Sequence, residues 1–250
     1  MLCLLRSKNL SWFTNILGVA MSDQSSKKPD QASGVVSQSQ IFLESEGDGW
    51  FQRNRASLMQ ASGYYDTDII KRVLNHDKAA IRRVLEIGSG NGAKLHDLCT
   101  FFEAEGCGID PSAAAVDYGN KHHHRLKLSV ATASKLPYTD DCFDLVYFGF
   151  CLYLLDRNDL FKAVAEADRV LKKGGYLAIL DFDPRHRHKR PYHHLPGLYS
   201  YKTSYADFFT GGGHYYLVAK ESFSHSGTFF TKDSDERVSV SILFKEPDAY

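Results

Sequence analysis

The stretch Arg83-Val84-Leu85-Glu86-Ile87-Gly88-Ser89-Gly90-Asn91-Gly92 decides how the rest of the chain is read. Its first half is a short aliphatic run, the pattern of a strand buried on both faces. Its second half is a glycine-rich turn, after which Ala93 to Glu103 places Leu95, Leu98, Phe101 and Phe102 on one helical face. Strand, tight turn and helix thus follow in immediate succession. Glycines there let the backbone turn sharply and let a ligand approach without a Cβ in the way, and the helix start presents free N–H groups.

Outward from this unit the alternation repeats. Gly106–Ile109 reads as a second strand, Ser112–Asn120 as a helix, Leu126–Ala131 as a third strand and Asp144–Phe148 as a fourth. Arg157–Lys172 has amphipathic helical spacing, and Gly175–Phe182 reads as a fifth strand. Strands separated by helices imply parallel pairing through right-handed crossovers. Upstream, Asp66–His76 carries Ile69, Ile70, Val73 and Leu74 at helical spacing, so residues 41–78 are expected to form a helical lead-in or lid. Downstream, Tyr215–Ala219 and Val238–Phe244 look like strands with no helix between them, which suits an antiparallel hairpin on one sheet edge. The expected fold class is α/β: a doubly wound, mostly parallel, seven-stranded Rossmann-like sheet with an antiparallel C-terminal edge hairpin.

A length of 250 residues suits one domain with a full core. Thirty basic and thirty acidic side chains give a net charge of +0, so no overall field draws the chain to nucleic acid or an anionic membrane, although a local patch stays open. Five cysteines without a C-x-x-C signal neither a disulfide framework nor a zinc site, and a reducing, cytoplasmic setting is expected. The apolar run Leu10–Ala20 is too short to span a membrane. Arg6 and Lys8 ahead of that run and Gly18-Val19-Ala20 after it allow a weak signal sequence, while Met21 opens a polar stretch like an alternative start. Residues 1–40 are therefore expected to be a disordered or dispensable extension, with the domain at 41–250.

The glycine loop followed by Ala93 also satisfies the dinucleotide pattern G-x-G-x-x-A, so a nicotinamide or flavin enzyme is a competing reading. Glu86, two places before the first glycine, suits the cationic α-amino group of a bound amino acid better than a pyrophosphate. Asp110, in Gly108-Ile109-Asp110-Pro111, falls at the end of the second strand, where a carboxylate can accept both hydroxyls of a ribose.

At this point the chain resembles the class I S-adenosylmethionine-dependent methyltransferase family, in its small-molecule, methyltransferase type 11-like branch. Residues 84–92 resemble that family's first motif, and 108–112 its ribose-binding strand end. Ala133-Ser134-Lys135-Leu136-Pro137-Tyr138 with Cys142–Val146 resembles its third and fourth strand region, and Leu171–Leu177 the turn into its fifth. The resemblance covers residues 83–182 and implies S-adenosylmethionine as cofactor and a small-molecule methyl acceptor; from the balanced charge and the lack of a spanning run, no nucleic-acid or membrane partner is expected. The resemblance also implies cofactor contacts at Glu86, Gly88, Ser89, Gly90, Gly92, Asp110, Pro111, Thr132, Ala133 and Ser134; position after the fourth strand adds Gly149, where a glycine lets the methionine part approach, and Phe148, which is either a contact or core. Thr132 departs from the family, which commonly has an acidic residue there for the adenine amino group; a hydroxyl also accepts that hydrogen bond.

The family has no universal catalytic residue, so candidates come from position beyond the strand ends: Tyr153 after the fourth strand, Asp183 and His186 after the fifth. The histidines at 122–124 and 186–194 do not form a metal set, because consecutive residues on a helix diverge and the second group lacks a carboxylate partner. The basic cluster Arg185–Arg190, ending in Pro191-Tyr192, suits an anionic acceptor such as a nucleotide sugar, or is a solvated loop. Trp50, Phe51, Arg53 and Asn54 resemble the start of methyltransferase-like proteins of surface-carbohydrate biosynthesis, and either fold over the cofactor or staple the lead-in helix to the sheet. A sugar or sugar-nucleotide acceptor is the expectation. The alternatives are a non-catalytic cofactor-binding partner subunit and an NAD-dependent oxidoreductase on the same fold.

Overall fold

A computed structural model describes residues 37–61 and 63–248. The chain enters as one continuous helical segment: α1 (Gln38–Ile41), a π-turn (Phe42–Glu46) and α2 (Gly47–Gln60). It continues through α3 (Tyr65–Val73), β1 (Arg83–Ile87), α4 (Ala93–Phe102), β2 (Glu105–Asp110), α5 (Ala113–His122), β3 (Leu126–Val130) and β4 (Phe143–Gly149). Then come α6 (Arg157–Val170), β5 (Leu171–Phe182), the short strands β6 (His188–Pro191) and β7 (Tyr199–Lys202), α7 (Asp207–Thr210), β8 (Tyr215–Ser224) and β9 (Arg237–Lys245).

Seven strands form one sheet in the order β3-β2-β1-β4-β5-β9-β8. The first five are parallel, and β9 runs antiparallel between β5 and β8. This is the doubly wound sheet with an antiparallel edge hairpin that the alternation predicts.

Side chains on successive strand residues leave opposite faces, and both faces are covered. Leu85, Ile87, Val146 and Phe148 pack with Ala163 and Ala167 of α6. Val84, Leu145 and Tyr147 pack on the other side with Ile70 of α3 and Leu95 and Leu98 of α4. The order reverses between β1 and β4, which opens a crevice at their carboxyl ends.

Several boundaries differ from expectation. Gln38 and Ser39, assigned above to the dispensable extension, are buried and belong to the fold; residues 1–36 lie outside the described residues. α6 stops at Val170, and β5 starts at Leu171 because a short pairing with Phe143 precedes the irregular turn at Gly174 and Gly175. The basic segment after 185 contains a two-stranded ribbon, β6 with β7, separate from the main sheet.

Candidate functional site

The loop after β1 is held by hydrogen bonds to its neighbours. Gly88 and Ser89 donate their N–H groups to the Ile109 carbonyl at 2.9 and 3.0 Å, and Gly90 N–H donates to Asp110 Oδ2 at 2.8 Å. Gly88 has φ +78°, and a Cβ there would lie 2.7 Å from Cys151 Cβ, so both backbone conformation and space call for glycine. Asp110 also accepts from Ser112 N–H at 2.9 Å. Burial pushes its carboxyl up to about 6 against the pull of those two backbone bonds. With each oxygen taking one N–H, a lone pair remains on each for a diol.

Glu86 ends the β1 run, 1% exposed. Burial drives its carboxyl well above the usual range, although Lys94 opposes the shift. A Cβ on Gly149 would lie 2.5 Å from Glu86 Oε1, so the glycine is what leaves room for this carboxyl. Lys94 is itself paired with Asp66 at 2.8 Å, and Asp66 accepts from the buried Tyr147 hydroxyl.

Two adjoining cavities open on these groups, sharing Phe42, Gly88, Pro111, Cys151 and Leu154 as walls. The smaller, about 70 Å³, is apolar and runs between Ile109 and Pro111, Ala131 to Ala133 and Leu154, with Ser39 and Phe42 closing it from the amino-terminal helix. The larger, about 250 Å³, is lined by Glu86, Ser89, Gly90 and Asp110 together with Trp50, Leu58, Tyr64, Phe150 and Tyr153. Among the described residues, five buried side-chain polar atoms have no partner. Three of them, Ser39 Oγ, Glu86 Oε2 and Ser89 Oγ, belong to residues lining these two cavities. Buried polar atoms are normally satisfied, so such a concentration marks where a polar ligand completes the structure.

Part of this aromatic lining is rigidly built. Phe150 has φ +70°, a conformation that bulky residues avoid, and its ring is held among Tyr153, Phe182 and His225 at centroid distances of 4.9, 5.1 and 5.1 Å. The buried Asp181 anchors the loop by accepting from Tyr153 N–H at 3.2 Å and Phe182 N–H at 2.8 Å. Desolvation pushes Asp181 up to about 8, the backbone bonds opposing.

The amino-terminal helix is clasped over the cavities at several points. Gln38 donates its amide to the carbonyls of Leu154 and Tyr199 and accepts from Tyr199 N–H. Tyr192 donates its hydroxyl to Glu46 at 2.9 Å, and Asp48 accepts from Ser112 at the start of α5.

Residues 85–179 match the family model described as a methyltransferase domain. Over these residues the chain carries a methyltransferase domain. A fatty-acid O-methyltransferase of Mycolicibacterium smegmatis is 33% identical over 42% of this chain and 39% of its own length. The 27-O-demethylrifamycin SV methyltransferase of Amycolatopsis mediterranei is 33% identical over 57% of this chain and 53% of its own. The chain thus spans about half or less of the curated relatives it matches. In fold it is similar to a Burkholderia thailandensis 1,6-didemethyltoxoflavin-N1-methyltransferase solved with S-adenosylhomocysteine, with a TM-score of 0.64 at 13% identity over 87% of this chain and 94% of that one. The [4+2]-cyclase SpnF shares the fold too, with a TM-score of 0.54 at 17% identity over 72% of this chain and 81% of that one. S-adenosylmethionine is the cofactor of the family, and the unpaired Glu86 oxygen, the Asp110 carboxylate and the apolar cavity fit its ammonium, ribose and adenine.

The methyltransferase domain brings together most of the residues expected from sequence. Glu86, Gly88, Ser89, Gly90, Asp110, Pro111, Gly149 and Tyr153 line the larger cavity, and Thr132 and Ala133 the smaller. Five others stand elsewhere. Gly92 starts α4 with its Cα against Leu126 and Leu128 and is a packing glycine. Phe148 is fully buried against Phe209, and Ser134 lines neither cavity, its hydroxyl 3.3 Å from that of Thr132. Asp183 is tied to Lys220, Ser222 and Arg237 across the β5–β8–β9 edge. Burial would raise its carboxyl, but the bonds from Lys220 and Ser222 and the charges of Lys220 and Arg237 prevail and hold it below the usual range. His186 is exposed and outside both cavities. Neither is placed to act as a base on a bound acceptor. Sequence reasoning missed Ser39, Tyr64 and Lys94; only Lys94, directly after the glycine motif, carried a signal.

Proposed function

We propose that the protein is an S-adenosylmethionine-dependent methyltransferase whose acceptor is a small, uncharged molecule held against the aromatic lining of the larger cavity. The observation that carries this reading is the solvent-shielded Glu86 oxygen left without a partner beside the glycine loop, one strand away from Asp110. Glu86 would take the α-ammonium, Lys94 the α-carboxylate and Asp110 the ribose hydroxyls, with Thr132, Ala133 and Ser39 around the adenine. The bound cofactor supplies an electrophilic methyl on a sulfonium.

The chain's own contribution is positioning and exclusion of water. Trp50, Tyr64, Phe150 and Tyr153 offer flat faces for the acceptor. The Tyr153 hydroxyl is held above the ordinary tyrosine range by burial and by Tyr192 and Asp181, so it keeps its proton and donates a hydrogen bond to the acceptor. Among the lining residues the cation is Lys94, which pairs with Asp66 and in this reading also meets the cofactor carboxylate, so no cation is left for a diphosphate acceptor. A sugar ring retains support, because its C–H faces stack on aromatic side chains, and a role in surface-carbohydrate biosynthesis rests on that. The relatives named for fatty acids, rifamycin and quinones favour a less polar acceptor.

The test is isothermal titration with S-adenosylhomocysteine and with NAD. Micromolar binding of the first and none of the second supports the reading; preference for NAD overturns it.

A further inference from the structure

We propose that the face formed by the β6–β7 ribbon and the β8–β9 turn docks this protein on anionic lipid bilayers. Two features that the cofactor site does not use meet there. The first is charge: Arg185, Arg187, Lys189, Arg190 and Lys202 occur with no Asp or Glu between residues 184 and 206. Lys202 is buried, its Nζ bonded to the Asp235 carbonyl, and Arg190 pairs with the Asp235 carboxylate. Arg185, Arg187 and Lys189 remain exposed and, among the described residues, pair with no carboxylate.

The second feature is the turn between β8 and β9, which presents the adjacent Phe229 and Phe230 at 64% and 62% exposure. A single exposed apolar side chain is unremarked on most surfaces, but two large neighbouring rings beside a basic cluster make a mixed patch. Asp235 joins the two, because it bonds both the ribbon and its own turn. Asp233 and Glu236 on the turn are also exposed, so with Lys232 and Arg237 the turn carries one net negative charge and the combined face stays positive.

Position favours a bilayer over other polyanions. β5 ends at Phe182, opposite Val238, and Ser224 pairs with Arg237, so the turn and the ribbon emerge at the sheet end where the aromatic cavity opens. His225, the first residue of that turn, touches the Phe150 ring that walls the cavity. Phenylalanines that enter the interface and cations that attract anionic headgroups are the two signals from which reversible membrane attachment is built. An apolar acceptor held in a bilayer would then meet the cavity without crossing water; this last point rests on the methyltransferase reading, whereas the docking does not.

The test is flotation of the full chain with vesicles of phosphatidylcholine alone and of phosphatidylcholine with phosphatidylglycerol in equal parts. Two variants are compared, Phe229→Ser with Phe230→Ser, and Arg185→Glu with Arg187→Glu, and S-adenosylhomocysteine titration serves as the folding and site control. The chain should float with the mixed vesicles at low salt and much less with phosphatidylcholine alone. Losing each cation should cost about fivefold in partitioning, and losing the two rings on the order of tenfold or more, with cofactor-product binding unchanged in both. No flotation with anionic vesicles, or flotation that neither variant weakens, overturns the proposal. Variant-sensitive binding of a single-stranded oligonucleotide without flotation overturns it in favour of a nucleic-acid surface. Loss of S-adenosylhomocysteine binding in the wild-type chain strikes the methyltransferase reading alone.

Discussion

Replacing Glu86 with glutamine is expected to move stability and cofactor binding in opposite directions. In the ligand-free chain the carboxyl is 1% exposed, one oxygen has no partner, and burial holds its pKa well above the usual range. A group whose folded pKa is raised contributes stability below its ordinary pKa and loses it as pH rises toward the folded value. At neutral pH an isosteric amide therefore removes a burden, and each 1 kcal/mol gained raises Tm by about 2–4 °C for a chain of this size. In the complex the same change removes a charge-assisted bond to the ligand ammonium, which contributes about 1.5–3 kcal/mol, or on the order of 10- to 150-fold in Kd. Thermal unfolding of the ligand-free chain and titration with S-adenosylhomocysteine read the two effects separately. A Glu86→Gln chain that binds the ligand as tightly as wild type, or melts lower without it, would refute the assignment of Glu86 as the ammonium site.

Gly149→Ala places a methyl 2.5 Å from Glu86 Oε1 and 3.0 Å from the Gly88 carbonyl; overpacking of about 1–3 kcal/mol should weaken S-adenosylhomocysteine binding about tenfold or more, read by titration. Asp183→Asn loosens Lys220 and Arg237 and should lower stability by about 2 kcal/mol while leaving ligand affinity unchanged, and the wild-type advantage should vanish as pH falls through the lowered Asp183 pKa. An affinity loss without a stability loss would reinstate Asp183 in the site. For Asp181, raised to about 8, denaturant unfolding should show wild-type stability falling as pH rises from about 4 toward that value, and Asp181→Asn should flatten the fall; parallel pH profiles would contradict it.

The parallel half of the fold was legible because strand-like and helical patterns alternate there, with strand ends marked by glycine or aspartate, as at Ile87-Gly88 and Ile109-Asp110. The edge hairpin was legible from two apolar runs without a helix between them. The β6–β7 ribbon was not, because His188-Lys189-Arg190-Pro191 has no apolar alternation and is held by cross-strand bonds and by Lys189 over the Tyr199 ring. In the site, Glu86 and Asp110 could be read because strand ends fix where their side chains go. Phe148 and Gly149 are adjacent yet diverge, one into the core and one into the cavity, since strand alternation separates them. The contributions of Ser39 and Tyr64 depend on how the amino-terminal helices lie across the sheet, and no local pattern encodes that.

That helix has a kinetic meaning as well as a structural one. Phe42 walls both cavities, so they share one door. The door is fastened at Gln38 to the loop after β4 and to β7, and at Glu46 to Tyr192. On the methyltransferase reading, loosening these fastenings should shorten the residence of the spent cofactor, so that a helix remote in sequence from every motif that defines the domain would time traffic through the site.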